Sequence, residues 1–462
     1  MSAGFAAVLE AAATADVYRR VGTTLRVAGE SVIAGGLNVR PNELVFVEDP
    51  AGRPLAGEAW GGEQSEPAVA MLDRGPIAVG ARVLGSGRMA CAPVGRGALG
   101  RVVDGLGRPI DGGPPLRDVH WMPVHAEPPP PLERTPISLP LPTGVRAIDG
   151  LLTLGRGQRV GIFAGSGVGK STLLGMLARG TAADVTVIAL IGERGREVRD
   201  FLEHDLGLDA LPRCVVVAST GDNPAAMRLC AARAATAIAE GFRAEGLDVL
   251  LLFDSLTRVA MAQREIGLAA GEPPTTRGYP PSVFSLLPHL MERAGPAATG
   301  SITAFYTVLV DGEDMDEPIS DISRATLDGH IVLKRSIASA GHYPPIDVLG
   351  SVSRLMSRVA SPAHNASARV LRQLLAAYEE SRDLINIGAY SRGADPVVDR
   401  AIDLMPALND YLRQPPLDVS GYDTAIERLM AVVPPPGAAQ EAEMEEFDAN
   451  DREAAAETGG LS

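Results

Sequence analysis

The sequence predicts an α/β fold: a parallel sheet covered by helices, preceded by a small β-barrel and followed by a helical domain. Three observations carry this. Between about Gly144 and Met356, six near-continuous apolar runs alternate with helical runs, the pattern of strands buried on both faces. One of them, Arg159–Ala164, leads through a glycine-rich loop into an amphipathic helical run. From about Val21 to Ala92 the texture is instead short β-prone runs punctuated by Gly, Pro, Asn and Asp, as in a small barrel.

Met1–Arg20 reads as a short Ala-rich helix with a weak stripe of Phe5, Val8, Leu9 and Val17, which either frays or docks a partner. The barrel runs are "TTLRVAG", "LVFVED", "AVAML" and "IAVGARVLG". "GRVVDGLGRPIDGG" (Gly100–Gly113) reads as a hairpin-like connector with Asp-Gly turns. "HAEPPPPLERTPISLPLPTG" (His125–Gly144) excludes a central strand or helix, because each proline removes a donor and fixes φ. It reads as a semi-rigid connector. The core strands are "RVGIFA", "VTVIALIG", "CVVVAST", "VLLLFDS", "SITAFYTVLV" and "HIVLKR", and about Ala366 to Met430 is helical. Beyond "VVPPPG", the stretch Gln440–Glu457 sets eight acids against Arg452 alone and is expected to stay unfolded. The division is then residues 1–20 (helix), 21–95 (barrel), 96–365 (α/β domain with its connector), 366–435 (helical domain) and 436–462 (acidic tail).

Bulk properties narrow the function. The 462 residues suffice for two or three domains. No apolar run approaches the roughly 20 residues of a membrane span, and Phe5–Val17 lacks the basic leader of a secretion signal. Three cysteines and seven histidines show no metal or dithiol spacing, so a reducing cytoplasm is the expected setting. A net charge of −15 argues against a broad nucleic-acid face, though not against a narrow arginine-lined channel.

The glycine loop is "GIFAGSGVGKST" (Gly161–Thr172). It fits the phosphate-loop pattern G-x-x-x-x-G-K-[ST] except that Ala164 holds the first glycine position. Of 42 basic residues only Lys170 and Lys334 are lysine. A phosphate loop is where arginine is poorly tolerated, since a compact ammonium must fit against the β- and γ-phosphates. Gly165, Gly167 and Gly169 supply the pliable backbone, and with Ser166 and Val168 they lead to Lys170, Ser171 and Thr172 at a helix N-terminus, an anion site by construction. ATP with Mg²⁺ is the ligand pair this motif takes.

Three further stretches suit a nucleotide hydrolase. In "LLLFDSLTR" an apolar strand ends on Asp254, placed to hold waters around Mg²⁺ beside the Ser171 hydroxyl; a helix cap is the bland alternative. In "IGERGREVRDF" a strand end delivers Glu193, which could orient a water and take its proton, with Arg194 within reach of a γ-phosphate. A surface Glu favoured by the dipole of the following helix fits the spacing equally well. In "HYPPIDVLGSVSRLM" two prolines stiffen the turn after Tyr343, whose ring could stack on adenine, and Arg354 follows in a Ser-rich turn, where an arginine is ordinarily solvated or ion-paired.

Together these stretches resemble the protein-export ATPases of bacterial flagella and type III secretion systems, relatives of the rotary ATP synthase catalytic subunit. The resemblance runs from about Arg20 to Met430 through "GLGRPIDG", "AGSGVGKSTLLGM", "IGERGREVRDF", "DSLTRVAMAQREIGLAAGEPPTTRGYPPSVF", "FYTVLVDGEDMDEPISD", "DGHIVLKR", "YPPIDVLGSVSR" and "INIGAYSRGADPVVDRAI". Ala164 is then a family trait, since such loops begin Ala-Gly-Ser-Gly. The resemblance implies a RecA-like P-loop NTPase core. It implies Lys170, Ser171 and Thr172 for phosphate and Mg²⁺, Glu193 as catalytic glutamate beside Arg194, and Asp254 as the Walker B aspartate. Tyr343 would stack on adenine, and Arg354 would be an arginine finger for the adjacent subunit. It implies a hexameric homo-oligomer, a stator-like regulator at the N-terminus, a central stalk protein, membrane proteins of an export gate, and export substrates with their chaperones. The setting would be cytoplasmic, at the membrane export apparatus. "IGAYSRGADP" stands where synthase catalytic subunits carry an acidic lever, which argues against a synthase; Lys334 replaces a small polar residue.

The flagellar branch is favoured over a virulence system. A Rho-like hexameric RNA helicase shares the core fold, but would need basic and aromatic surface residues where the barrel region offers Phe46 and Trp60. A scaffold with a degraded site is disfavoured by the intact Lys170, Glu193 and Asp254.

Overall fold

A computed structural model of the chain describes residues 20–63, 66–310 and 314–436. The helix expected before Arg20 and the tail from Gly437 onward lie outside these residues. The chain forms two compact units, Met1–Thr135 with Ala183–Leu309 and Met315–Thr326, and Pro136–Ala182 with Val310–Asp314 and Leu327–Ser462.

Numbering strands along the chain, the first unit opens on a closed barrel of β1 (Arg20–Ala28), β2 (Ser31–Gly35), β3 (Glu43–Glu48), β4 (Pro54–Glu63), β5 (Glu66–Met71) and β6 (Arg82–Met89), in the order β1-β2-β5-β4-β3-β6. Pairing of Arg20 with Gly85 through Thr23 with Arg82 closes it. Period-two alternation fills the interior: Val32 and Ala34 of β2 are buried, and Val45, Val47, Val69 and Val83 join them. Two of the strands, β2 and β4, were not expected. The β4 sequence PLAGEAWGGE has weak strand propensity, and pairing to β3 and β5 on its two sides holds it. Conversely, the expected strand from Ile77 begins only at Arg82, past Gly80 at φ +83°.

The same unit carries a parallel ladder in the order β17 (Ser301–Leu309), β15 (Asp248–Asp254), β13 (Val185–Ile191), β14 (Cys214–Ser219) and β8 (Arg101–Val103). Every residue of β13 and β14 is buried, as in strands covered on both faces. The three residues of β8 extend the hairpin-like reading of Gly100–Gly113: they also add a parallel edge strand, Arg101 opposite Val215 through Val103 opposite Val217. The segment that follows folds back on it: the N–H of Asp104 donates to the Arg108 carbonyl and that of Ile110 to the Val102 carbonyl, each at 2.9 Å, around a bridge between Val103 and Pro109. Smaller pieces are the antiparallel pair β7 (Cys91–Val94) and β9 (His120–Pro123), and β16 (Gly295–Pro296) beside β17. The helix Ala225–Ala244 is buried on nearly all faces, and its Glu240 receives Arg293, itself buried, at 2.9 and 2.6 Å.

In the second unit β12 (Arg159–Ala164) runs parallel to β18 (Gly329–Leu333), and β19 (Ile346–Ser353) runs antiparallel to β18. The segment read as a Ser-rich turn is thus largely a strand; buried Ile346 and Val348 alternate, but a register shift against β18 breaks the period before buried Ser351 and hid the strand. The proline-rich connector contributes only β10 (Pro140–Leu141), paired with β11 (Leu154–Gly155). Helices Pro362–Asn386, Pro396–Leu412 and Tyr422–Val432 follow, and the short helix Arg146–Leu151 is wholly buried. Arg146 ties it to the C-terminal helices, donating to the carbonyls of Tyr411 (3.1 Å) and Arg413 and pairing with Asp418 at 3.1 Å. Among the described residues no helix is long and apolar enough to cross a membrane.

Candidate nucleotide site

The phosphate loop grows out of β12. Ala164 closes that strand fully buried, and Val168 anchors the loop beneath its exposed crest at Ser166 and Gly167. Gly169 adopts φ +102°, a region that disfavours side chains, and precedes the helix Lys170–Gly180. No side-chain bond caps that helix, whose first N–H groups and dipole suit an anion. Lys170 is its half-buried first residue, followed by exposed Ser171 and half-buried Thr172.

Two residues from beyond β18 approach this loop. Arg335 donates from Nη2 to the Ser166 carbonyl at 2.9 Å. A Cβ on Gly169 would stand 3.6 Å from Cε1 of Tyr343, so the structure brings that ring, 45% exposed, beside the loop. Lys334, without a role in the sequence, pairs with Asp347 at 3.6 Å.

Arg354 is placed elsewhere. Leu333 lies opposite Ala164 and Ile346 at the loop's edge, whereas Gly329 lies opposite Ser353 at the other end. Four residues at roughly 3.3 Å each put the base of Arg354 some 13 Å down the strands from its own phosphate loop. Its N–H donates to the Asp328 carbonyl at 3.1 Å, and Asp328 pairs with Arg159 at 3.1 Å. The Arg354 side chain is exposed.

The first unit holds the carboxylates. Asp254 ends β15 opposite Leu190 of β13, buried, and its Oδ1 accepts from the Thr307 hydroxyl at 2.7 Å. It is not the helix cap: Ser255 takes that role, accepting from the N–H of Arg258 at 3.4 Å. Glu193 follows β13 at the same edge, beyond Gly192, which has φ +75° and where a Cβ would meet that of Arg258 at 2.8 Å. Half-buried Glu193 precedes the cap of the helix Gly195–Asp200, whose N-cap is Arg194 and whose first-turn acid is Glu197. Burial opposes ionisation of Glu197, yet the Glu193 carboxyl's hydrogen bond and the charges of Arg194 and Arg196 hold it below the usual range. Arg194 is exposed, with Nη1 3.5 Å from Glu197.

Sequence reasoning missed Thr307 and Arg335. Thr307 had a weak signal, a hydroxyl near the C-terminal end of a strand that also holds Ser301 and Thr303; Arg335 had none, being one arginine among many.

The model of the ATP synthase alpha/beta family, nucleotide-binding domain, matches residues 144–353, and that of the T3SS EscN ATPase C-terminal domain matches residues 360–431. The chain is 50% identical over 402 residues to the flagellum-specific ATP synthase of Bacillus subtilis, covering 86% of this chain and 92% of that protein. It is equally 50% identical over 424 residues to the type 3 secretion system ATPase of Xanthomonas euvesicatoria, covering 91% and 96%. The structure of the assembled ATPase EscN from the enteropathogenic E. coli type III secretion system superposes with a TM-score of 0.84 at 44% identity, covering 89% of this chain and 99% of that one. With its phosphate loop, barrel and C-terminal helices in place, the chain belongs to the family of flagellum-specific and type III secretion ATPases, and it is an ATPase.

Proposed function

We propose that this chain is the ATP-hydrolysing motor of a flagellar export apparatus, promoting the unfolding and export of flagellar subunits from the cytoplasmic face of the membrane. The observation that carries the mechanism is the placement of Arg354 at the strand edge opposite its own phosphate loop, which suits an arginine acting on a neighbouring subunit's nucleotide.

Lys170 bridges the β- and γ-phosphates, cradled by the backbone of Gly165, Ser166, Gly167, Val168 and Gly169 and by Thr172, while Tyr343 stacks on adenine. Glu193 orients the attacking water and accepts its proton. Arg194 reaches the γ-phosphate, and Arg354 of the next subunit faces the transferring group. Ser171 and Asp254 fit Mg²⁺, since a hydroxyl and a carboxylate are hard oxygen donors and Thr307 fixes the carboxylate. When bound, that ion neutralises phosphate charge.

A ring of six identical chains follows as the active unit, with barrel 21–95, ATPase domain 96–365 and helical domain 366–435. The assembled state of EscN and its complex with the central stalk EscO support a homo-oligomer around a stalk. Residues 1–20 would bind a stator-like regulator; export-gate proteins, substrates and chaperones complete the partners. The flagellar branch is tested in the source bacterium by an allele encoding Lys170→Ala. Loss of the filament with effector secretion intact supports it; loss of effector secretion with filaments intact assigns the chain to a virulence system.

A further inference from the structure

The helix Pro362–Asn386 reaches β19, the strand that ends just before Arg354. From it, Arg372 extends a half-buried side chain and donates from Nη2 to the carbonyl of Ser351 at 2.8 Å. Burial lowers the Arg372 pKa, with the Asp347 charge acting the other way. Ser351 is fixed on its other side: fully buried, its hydroxyl donates to the Asp347 carbonyl at 2.5 Å and accepts from the N–H of Val332 at 2.9 Å. Two residues on, the Ser353 hydroxyl donates to the Thr153 carbonyl at 2.8 Å, and Arg354 then turns out toward solvent.

Beside this bond lies an open pocket of about 260 Å³, lined by Val352, Ser353, Met356, Asn365 and Arg369 together with Arg372. The end of β19 is held on its β18 side by the N–H of Arg354, which donates to the Asp328 carbonyl at 3.1 Å, and on the helix side by Arg372.

We propose that Arg372 is a positioning residue for Arg354: by holding the Ser351 carbonyl it fixes the end of β19, and so the direction in which the Arg354 guanidinium leaves the strand. This rests on Arg354 acting as the finger. A misplacement of about 1 Å at such a group costs up to roughly a hundredfold in rate. The guanidinium makes its bond from the far end of a long side chain; lysine retains a donor at similar reach, and methionine has none.

The test is single-turnover ATP hydrolysis by the full-length oligomer, with ATP affinity measured separately. Arg372→Met is expected to slow cleavage roughly ten- to a hundredfold with unchanged ATP affinity, and Arg372→Lys to recover most of the loss. In an Arg354→Ala background, Arg372→Met should cost nothing further, because the group it positions is gone. Equal losses in both backgrounds, or a wild-type rate for Arg372→Met while Arg354→Ala is slow, would overturn the inference. A wild-type rate for Arg354→Ala would instead remove the finger reading, and this inference with it. Should Arg372→Met fail to assemble, Arg372→Gln, too short to reach the carbonyl, takes its place in the same comparison.

Discussion

The Thr307 hydroxyl donates to Oδ1 of Asp254 at 2.7 Å, joining the ends of neighbouring strands β17 and β15. A buried carboxylate held this way presents its oxygens in one orientation. Thr307→Val keeps the shape and removes the donor. A hydrogen bond to a charged group is worth about 1.5–3 kcal/mol, so kcat should fall at least about tenfold and the Mg²⁺ concentration for half-maximal rate should rise. An unchanged Mg²⁺ titration would show that Asp254 does not need this partner.

Lys170→Ala should abolish turnover, and Lys170→Arg should not restore it. The planar fork of arginine cannot occupy the space of an ammonium inside a loop whose last glycine lies against Tyr343. Steady-state ATPase assays of both variants check this; appreciable turnover in either removes the phosphate-loop assignment.

Gly192→Ala should disturb Glu193 without touching it. The backbone there has φ +75°, and the new methyl would meet the Arg258 side chain at 2.8 Å. Strain at such a position costs about 1–3 kcal/mol. Urea unfolding should register that loss, and hydrolysis should fall further than ATP binding. Wild-type hydrolysis would show that the turn tolerates the change.

His364 is buried, with Nε2 donating to the Gly150 carbonyl at 2.7 Å, and burial lowers its pKa below 6.5. The unfolded chain takes up that proton near pH 6.5, the folded chain only lower. The histidine's contribution is therefore full above about pH 6.5 and is lost as pH falls toward the folded value. Asp149 works in the opposite sense: burial pushes it up to about 7, against hydrogen bonds from Thr143 and Gly144. Comparison with His364→Gln isolates the histidine. The stability gap between wild type and variant should shrink between pH 7.5 and 5.5, by up to about 1.4 kcal/mol per pH unit below 6.5. A gap independent of pH would mean that His364 titrates normally in the fold.

The legible parts of this chain were those where one local pattern carries one meaning. The runs Val185–Ile191, Cys214–Ser219 and Asp248–Asp254 are apolar at nearly every position and fold as buried parallel strands. The loop before Lys170 was readable because glycine spacing and a rare lysine coincide. What stayed hidden depends on partners distant in sequence. β4 is a strand because β3 and β5 flank it, β8 because β14 offers an edge, and β19 because β18 pairs with it across Gly350. Thr307 gains meaning only opposite Asp254, and Arg335 only beside Ser166. Above all, the strand register that sets Arg354 at the opposite edge from its own loop has no trace in local sequence.

That register bears on the most direct measurement. If each site combines Lys170 and Glu193 of one chain with Arg354 of the next, homo-oligomers of Arg354→Ala bind ATP but hydrolyse it roughly 10³- to 10⁵-fold more slowly. Homo-oligomers of Glu193→Gln bind ATP and are likewise inactive, since the amide cannot accept a proton. In mixed oligomers, an Arg354→Ala subunit that faces a Glu193→Gln neighbour has its own glutamate and the neighbour's intact arginine. Single-turnover ATP hydrolysis should then reappear on mixing and peak near equal proportions. With mixed assembly confirmed independently, no recovery at any ratio would contradict a site shared between subunits.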